Sequence, residues 1–241
     1  MTVKKFVVCT CALVATCSVL AAPVRAAFVS VEATDNATVQ VAGPRTGSNG
    51  KAFFNVEGSN NNAFASFGVA DFVFPAPGAV VTGVSDVTLK LTQSNAGFSL
   101  AGPVSFYLTD QTGVSIQPTN TSLNYVSGLN GAASVDSELT PLSLVGAGTY
   151  NVVANGAVDS YSLSFTGGAL TSILTAINNG STLRLVVTPD DAATAATWAG
   201  STNNTYAGPT LELNTTSIPE PVTLTLVGLT ATICGGFARR R

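Results

Sequence analysis

The chain has 241 residues, of which 46% are hydrophobic and only 10% charged, with a formal net charge of -3. It contains no histidine, which removes the commonest general base and metal ligand, and its four cysteines, Cys9, Cys11, Cys17 and Cys234, all lie near the ends. The bulk of the chain therefore has neither a disulfide framework nor a thiolate metal site, and with 10 basic residues against 13 acidic ones no nucleic-acid partner is expected.

The first element opens with Met1-Thr2-Val3-Lys4-Lys5, continues through an apolar stretch from Phe6 to Leu20, and reaches Ala21-Ala22-Pro23-Val24-Arg25-Ala26-Ala27. A basic start, an apolar centre and small residues before the cut are the plan of a secretory signal peptide, assigned to residues 1–26. Cleavage is expected after Ala26 or one residue later, by signal peptidase after passage through the export translocase. The apolar run falls short of the ~20 residues that span a bilayer, which argues against a start-anchor helix.

From Phe28 to Asn214 apolar and polar residues alternate with period two, the pattern of half-buried strands. Val87, Leu89 and Leu91 form one such set, Val104, Phe106 and Leu108 a second, and Tyr161, Leu163 and Phe165 a third. Leu183, Leu185 and Val187 flank Arg184, and Leu211 and Leu213 flank Glu212. Turn-forming clusters such as Glu57-Gly58-Ser59-Asn60-Asn61-Asn62, Asn95-Ala96-Gly97 and Asn155-Gly156 separate the runs. One segment differs: Leu170, Ile173, Leu174 and Ile177 recur at helical spacing, so Gly168 to Asn178 reads as one short amphipathic helix closing an end of the fold or covering an edge. The expected fold is all-β, a single antiparallel β-sandwich ectodomain over 27–214, followed by a polar linker over 215–218.

Without the two ends, the acids number 12, all of the 13 except Glu220, against the bases Arg45, Lys51, Lys90 and Arg184, which leaves the ectodomain at -8. Its polarity comes mainly from Asn, Thr, Ser and Gln, a surface suited to hydration and to neutral partners such as sugars. No nucleophile elbow, phosphate loop or dinucleotide fingerprint occurs. Two carboxylates suffice for a glycoside hydrolase, the remaining enzymatic alternative, but the acids are scattered over strand ends and turns, and the protein is not expected to be an enzyme. Asp190-Asp191 could give Ca2+ hard oxygen ligands or form a solvated turn. Trp198, with Asn203, Asn204 and Tyr206, could make an exposed sugar platform, the alternative being a core tryptophan followed by an ordinary loop.

The chain ends with Pro219-Glu220-Pro221, an apolar run over 222–238 and Arg239-Arg240-Arg241. The run is near the lower limit for a transmembrane helix, and the arginines would stay on the cytoplasmic side. These three ordered elements over 219–241 resemble the PEP-CTERM sorting signal of Gram-negative bacteria. The resemblance implies transient membrane insertion through 222–238, an exosortase as processing partner, and release from an inner-membrane intermediate to the cell surface or extracellular matrix. There a structural or adhesive role in biofilm or exopolysaccharide is expected, with polysaccharide as a partner and a carbohydrate-binding module as the alternative. A second resemblance covers the ectodomain. Asp35-Asn36-Ala37-Thr38-Val39, Phe67-Gly68-Val69-Ala70-Asp71-Phe72, Trp198-Ala199-Gly200 and Pro209-Thr210-Leu211-Glu212-Leu213 follow the order of DNRLRE-type carbohydrate-binding-like jelly rolls. Asp71 stands where that family has a basic residue, so the resemblance implies the fold and no ligand.

Overall fold

Alternating sequence becomes paired strand over most of the chain, and all the pairings between named strands are antiparallel. The structure is a computed structural model that describes residues 24–47, 49–118 and 122–218. The expected signal peptide through residue 23 and the expected sorting tail from Pro219 lie outside the described residues. The smaller sheet is ordered β1 (Arg25–Glu32), β12 (Thr210–Ile218), β6 (Val80–Thr92) and β9 (Val158–Ser162). The larger is ordered β11 (Ala195–Ala199), β4 (Phe53–Glu57), β5 (Ser66–Val73), β10 (Thr182–Pro189), β7 (Gly102–Thr109) and β8 (Ser143–Tyr150). Beside this path β2 (Asp35–Gln40) pairs with β5, and β3 (Gly43–Pro44) with β2.

The alternating residues meet between the sheets. Val87, Leu89, Leu91, Leu211 and Leu213 of the smaller sheet pack with Phe72, Val104, Phe106, Leu108, Leu183, Leu185 and Val187 of the larger in one core. The Phe54 ring takes part by lying against Gly68, where an added Cβ would come within 2.5 Å of it; the strand needs glycine there because the ring fills the space. The helix forms as the spacing predicts, as α1 (Gly167–Asn179), with Ile173 and Ile177 buried and Leu170 and Leu174 against the same core. It ends at Gly180, whose φ of 60° is the left-handed geometry that glycine adopts freely. The Asn178 side chain accepts from Val81 N–H at 2.8 Å and donates to Val81 O at 2.9 Å, so α1 closes the sandwich end where β6 begins. Among the described residues no helix is long and apolar enough to cross a membrane.

Two expectations need correction. Residues 215–218 are not a linker: they finish β12, paired on one side with β1 and on the other with β6. Polar threonines belong there because β-branched side chains suit a strand, and Thr215 is buried with its Oγ1 donating to Ala27 O. The second concerns β10, which the alternation around Arg184 would leave open to water on one face. Both of its faces are covered.

The cover is the connection between β7 and β8, whose described residues 110–118 and 122–142 lie over the outer face of the larger sheet. Its Ile116, Leu123, Tyr125, Val135 and Leu139 form a second core with Val39, Phe67, Val69 and Val186. Arg184, 2% exposed, is enclosed beneath it. Its guanidinium makes two 2.7 Å bonds to the Asp71 carboxylate directly across the strands and donates to Gln111 O and Val114 O, also at 2.7 Å. Asp71 is thus the anion that lets a buried cation pin this connection to the sheet.

Candidate functional site

The Trp198 group does not form a platform. β11 is buried along its whole length, and Trp198 is 0% exposed because its ring faces the core, against Phe54, Tyr150 and Tyr161. Its Nε1–H donates to Asp159 Oδ2 at 2.7 Å, and the same carboxylate accepts from Gln93 Nε2. An enclosed ring has no face to offer a sugar. Asn203 Oδ1 caps the turn by accepting from Thr205 and Tyr206 N–H, and its Nδ2 donates to Ala52 O. Tyr206 is half-buried against Gly156, which leaves Asn204 as the one freely exposed member of the set.

Asp190 and Asp191 lie on the β10–β11 connection as the sequence places them, and one oxygen of each carboxylate is engaged by the protein. Asp191 Oδ1 accepts from Ala193 N–H, Thr194 N–H and Thr194 Oγ1, all within 2.9 Å. Desolvation pushes this carboxyl up, and the three donors outweigh it, holding the group below the usual carboxylate range. Asp190 Oδ2 accepts from Ser105 Oγ at 2.6 Å. Among the described residues no three acidic, histidine or cysteine side chains gather in a way that could hold a metal.

A better-formed recess lies beside β4. Since Phe54 and Val56 point into the core, Phe53, Asn55 and Glu57 face the other way, and with Thr197, directly opposite Asn55 on β11, they line a groove of about 330 Å3. Two helical turns, Ser59–Phe64 and Ala96–Phe98, add Phe64 and Phe98 to its wall, 63% and 82% exposed. The Arg45 guanidinium lies 5.8 Å from the centre of the Phe53 ring. Asn55 Nδ2 donates to Glu57 Oε1 at 3.0 Å, whereas its Oδ1 is buried without a donor. Burial raises the Glu57 carboxyl above its ordinary value, against the Asn55 hydrogen bond and the Arg45 charge.

None of these groove residues stands out in the sequence. Asn61 and Asn95, which also line the groove, read there as turn residues, and the one available sign was a phenylalanine closing each of two Asn-containing turns, where an apolar side chain has no core to enter.

The ends of the described chain are also adjacent. Arg25 pairs with Ser217 and Ala26 with Thr216, and Ile218 lies opposite Val80, so both termini leave the same end of the smaller sheet. Arg25 and Ala26, assigned above to the signal peptide, are strand residues here. No protein-family model matches the chain, and no curated protein matches it in sequence.

Proposed function

We propose that this is an exported, non-catalytic protein of a Gram-negative cell, with a jelly-roll-like ectodomain that has a structural or adhesive role at the surface or in the extracellular matrix. The tail anchors it in the inner membrane through residues 222–238 until an exosortase cuts near Pro219-Glu220-Pro221. The observation that supports this best is the Arg25–Ser217 register. With β1 and β12 side by side, an export signal before β1 and a membrane segment after β12 hold the domain from one end, leaving its opposite end free. The chain also crosses repeatedly from one sheet to the other, from β1 to β2, β5 to β6, β6 to β7, β8 to β9, β9 to β10 and β11 to β12, which agrees with jelly-roll winding.

The test is to replace Pro219, Glu220 and Pro221 together with alanine and fractionate the cells. Accumulation in the inner membrane, with loss from the surface and medium, is the expected result. Unchanged release would contradict exosortase processing.

A further inference from the structure

We propose that the groove beside β4 is a binding site for an uncharged polysaccharide. It rests on the exported reading only for where such a polymer would be met.

The groove combines what a sugar needs with little else. Phe64 and Phe98 are large apolar rings exposed far beyond what packing requires, and both line the same recess. Flat apolar rings take the C–H faces of pyranoses, as aromatic side chains do where one side of a ligand is apolar and its rim is wet. Beneath them is a side chain that the protein leaves incomplete. Asn55 is 8% exposed, its Nδ2 is used by Glu57, and its Oδ1 has no donor. A buried acceptor without a partner costs stability, which marks Asn55 as a polar side chain at the groove that packing alone does not explain. Glu57 accepts further hydroxyls, and desolvation of its carboxylate is a second cost borne at the same place.

Charge selects among glycans. Arg45 and Glu57 both line the groove and offset each other. The domain around them carries -8, which disfavours the approach of uronate-rich or sulfated polymers. An uncharged polymer meets no such barrier.

Position fits as well. The turns that carry Phe64 and Phe98 lie between Glu57 and Ser66 and between Thr92 and Gly102. Those strand ends are opposite the end where Arg25, Ser217 and Val80 meet. The 13-residue β6 alone runs about 40 Å between the two ends, at ~3.3 Å per residue. The groove is held away from the membrane that the tail would enter.

The test is affinity electrophoresis of the full chain in mild detergent, so that its outcome does not depend on whether the tail is removed. The gels contain hydroxyethylcellulose, galactomannan, xyloglucan, a mixed-linkage glucan or dextran, with polygalacturonate as the anionic comparison. Retardation by at least one of the neutral polymers is expected, weakened about tenfold or more in the Phe64→Ala, Phe98→Ala double variant. Both side chains are exposed, so the double variant should keep the wild-type melting temperature. Trp198→Phe alters the core and not the groove, and should bind like wild type. No retardation in any neutral gel, retardation by polygalacturonate alone, or equal retardation of the double variant would each overturn the proposal. None of these results bears on tail processing, which the mass of the exported protein decides separately.

Discussion

Trp198 illustrates how a residue's role follows from what it touches. Its ring fills the space between the sheets while its N–H reaches Asp159, so truncation leaves both a cavity and an acceptor short of a donor. Trp198→Ala is expected to cost about 3–5 kcal/mol in urea unfolding, the range for large aromatic deletions from cores. The Asp71–Arg184 pair behaves differently because charge is involved. Asp71→Asn leaves the enclosed guanidinium facing a neutral partner, and a loss of about 3–5 kcal/mol is expected. Exchanging both residues for apolar ones should recover only part of that, because it also takes away the donor to Gln111 O and Val114 O. Glu57 reverses the usual effect of an acid on stability. Its carboxyl is raised in the folded state, so its contribution is complete below the ordinary value of 4.5 and is lost as pH rises through the folded value. Glu57→Gln keeps an acceptor for Asn55, and its melting temperature should exceed that of wild type near neutrality, the difference closing as pH falls below about 4.5.

At the scale of elements, the 110–142 connection is an integral part of the fold. Leu139 is fully buried against the larger sheet, and its carbonyl accepts from Thr109 Oγ1 at 2.6 Å. Leu139→Ala should cost about 2–5 kcal/mol and speed amide exchange over this connection and β10 before the rest of the sandwich. Strands and helix were legible in the sequence wherever one face is buried, because alternation and helical spacing each report a single buried face: Leu89 and Leu91 on β6 and Ile173 and Ile177 on α1 lie where the pattern puts them. The pattern fails at β10, where a second covering layer buries Val186 and Arg184 as well. That layer is built from irregular chain and two short helical turns, Gly131–Ser134 and Ser137–Leu139, with no period to detect. The groove was hidden for a related reason. Asn55, Phe64 and Phe98 converge only through strand pairing, and nothing local to any of them reports the others.

For the molecule as a whole, the adjacency of β1 and β12 gives the ends their meaning. Cleavage after Ala26 would remove Arg25 and Ala26 and with them the β1 partners of Ser217 and Thr216, while β6 still pairs with that stretch of β12. The domain would then hang from β12 alone, with the turns that carry Phe64 and Phe98 at its far end. Export with exosortase processing requires that the chain reach the outside of the cell with both ends cut. The most direct measurement is the intact mass of the protein recovered from the cell surface or medium. The predicted mass corresponds to a chain beginning at Ala27 or Phe28 and ending within or before Pro219-Glu220-Pro221. A mass that still includes residues 222–238 would contradict it.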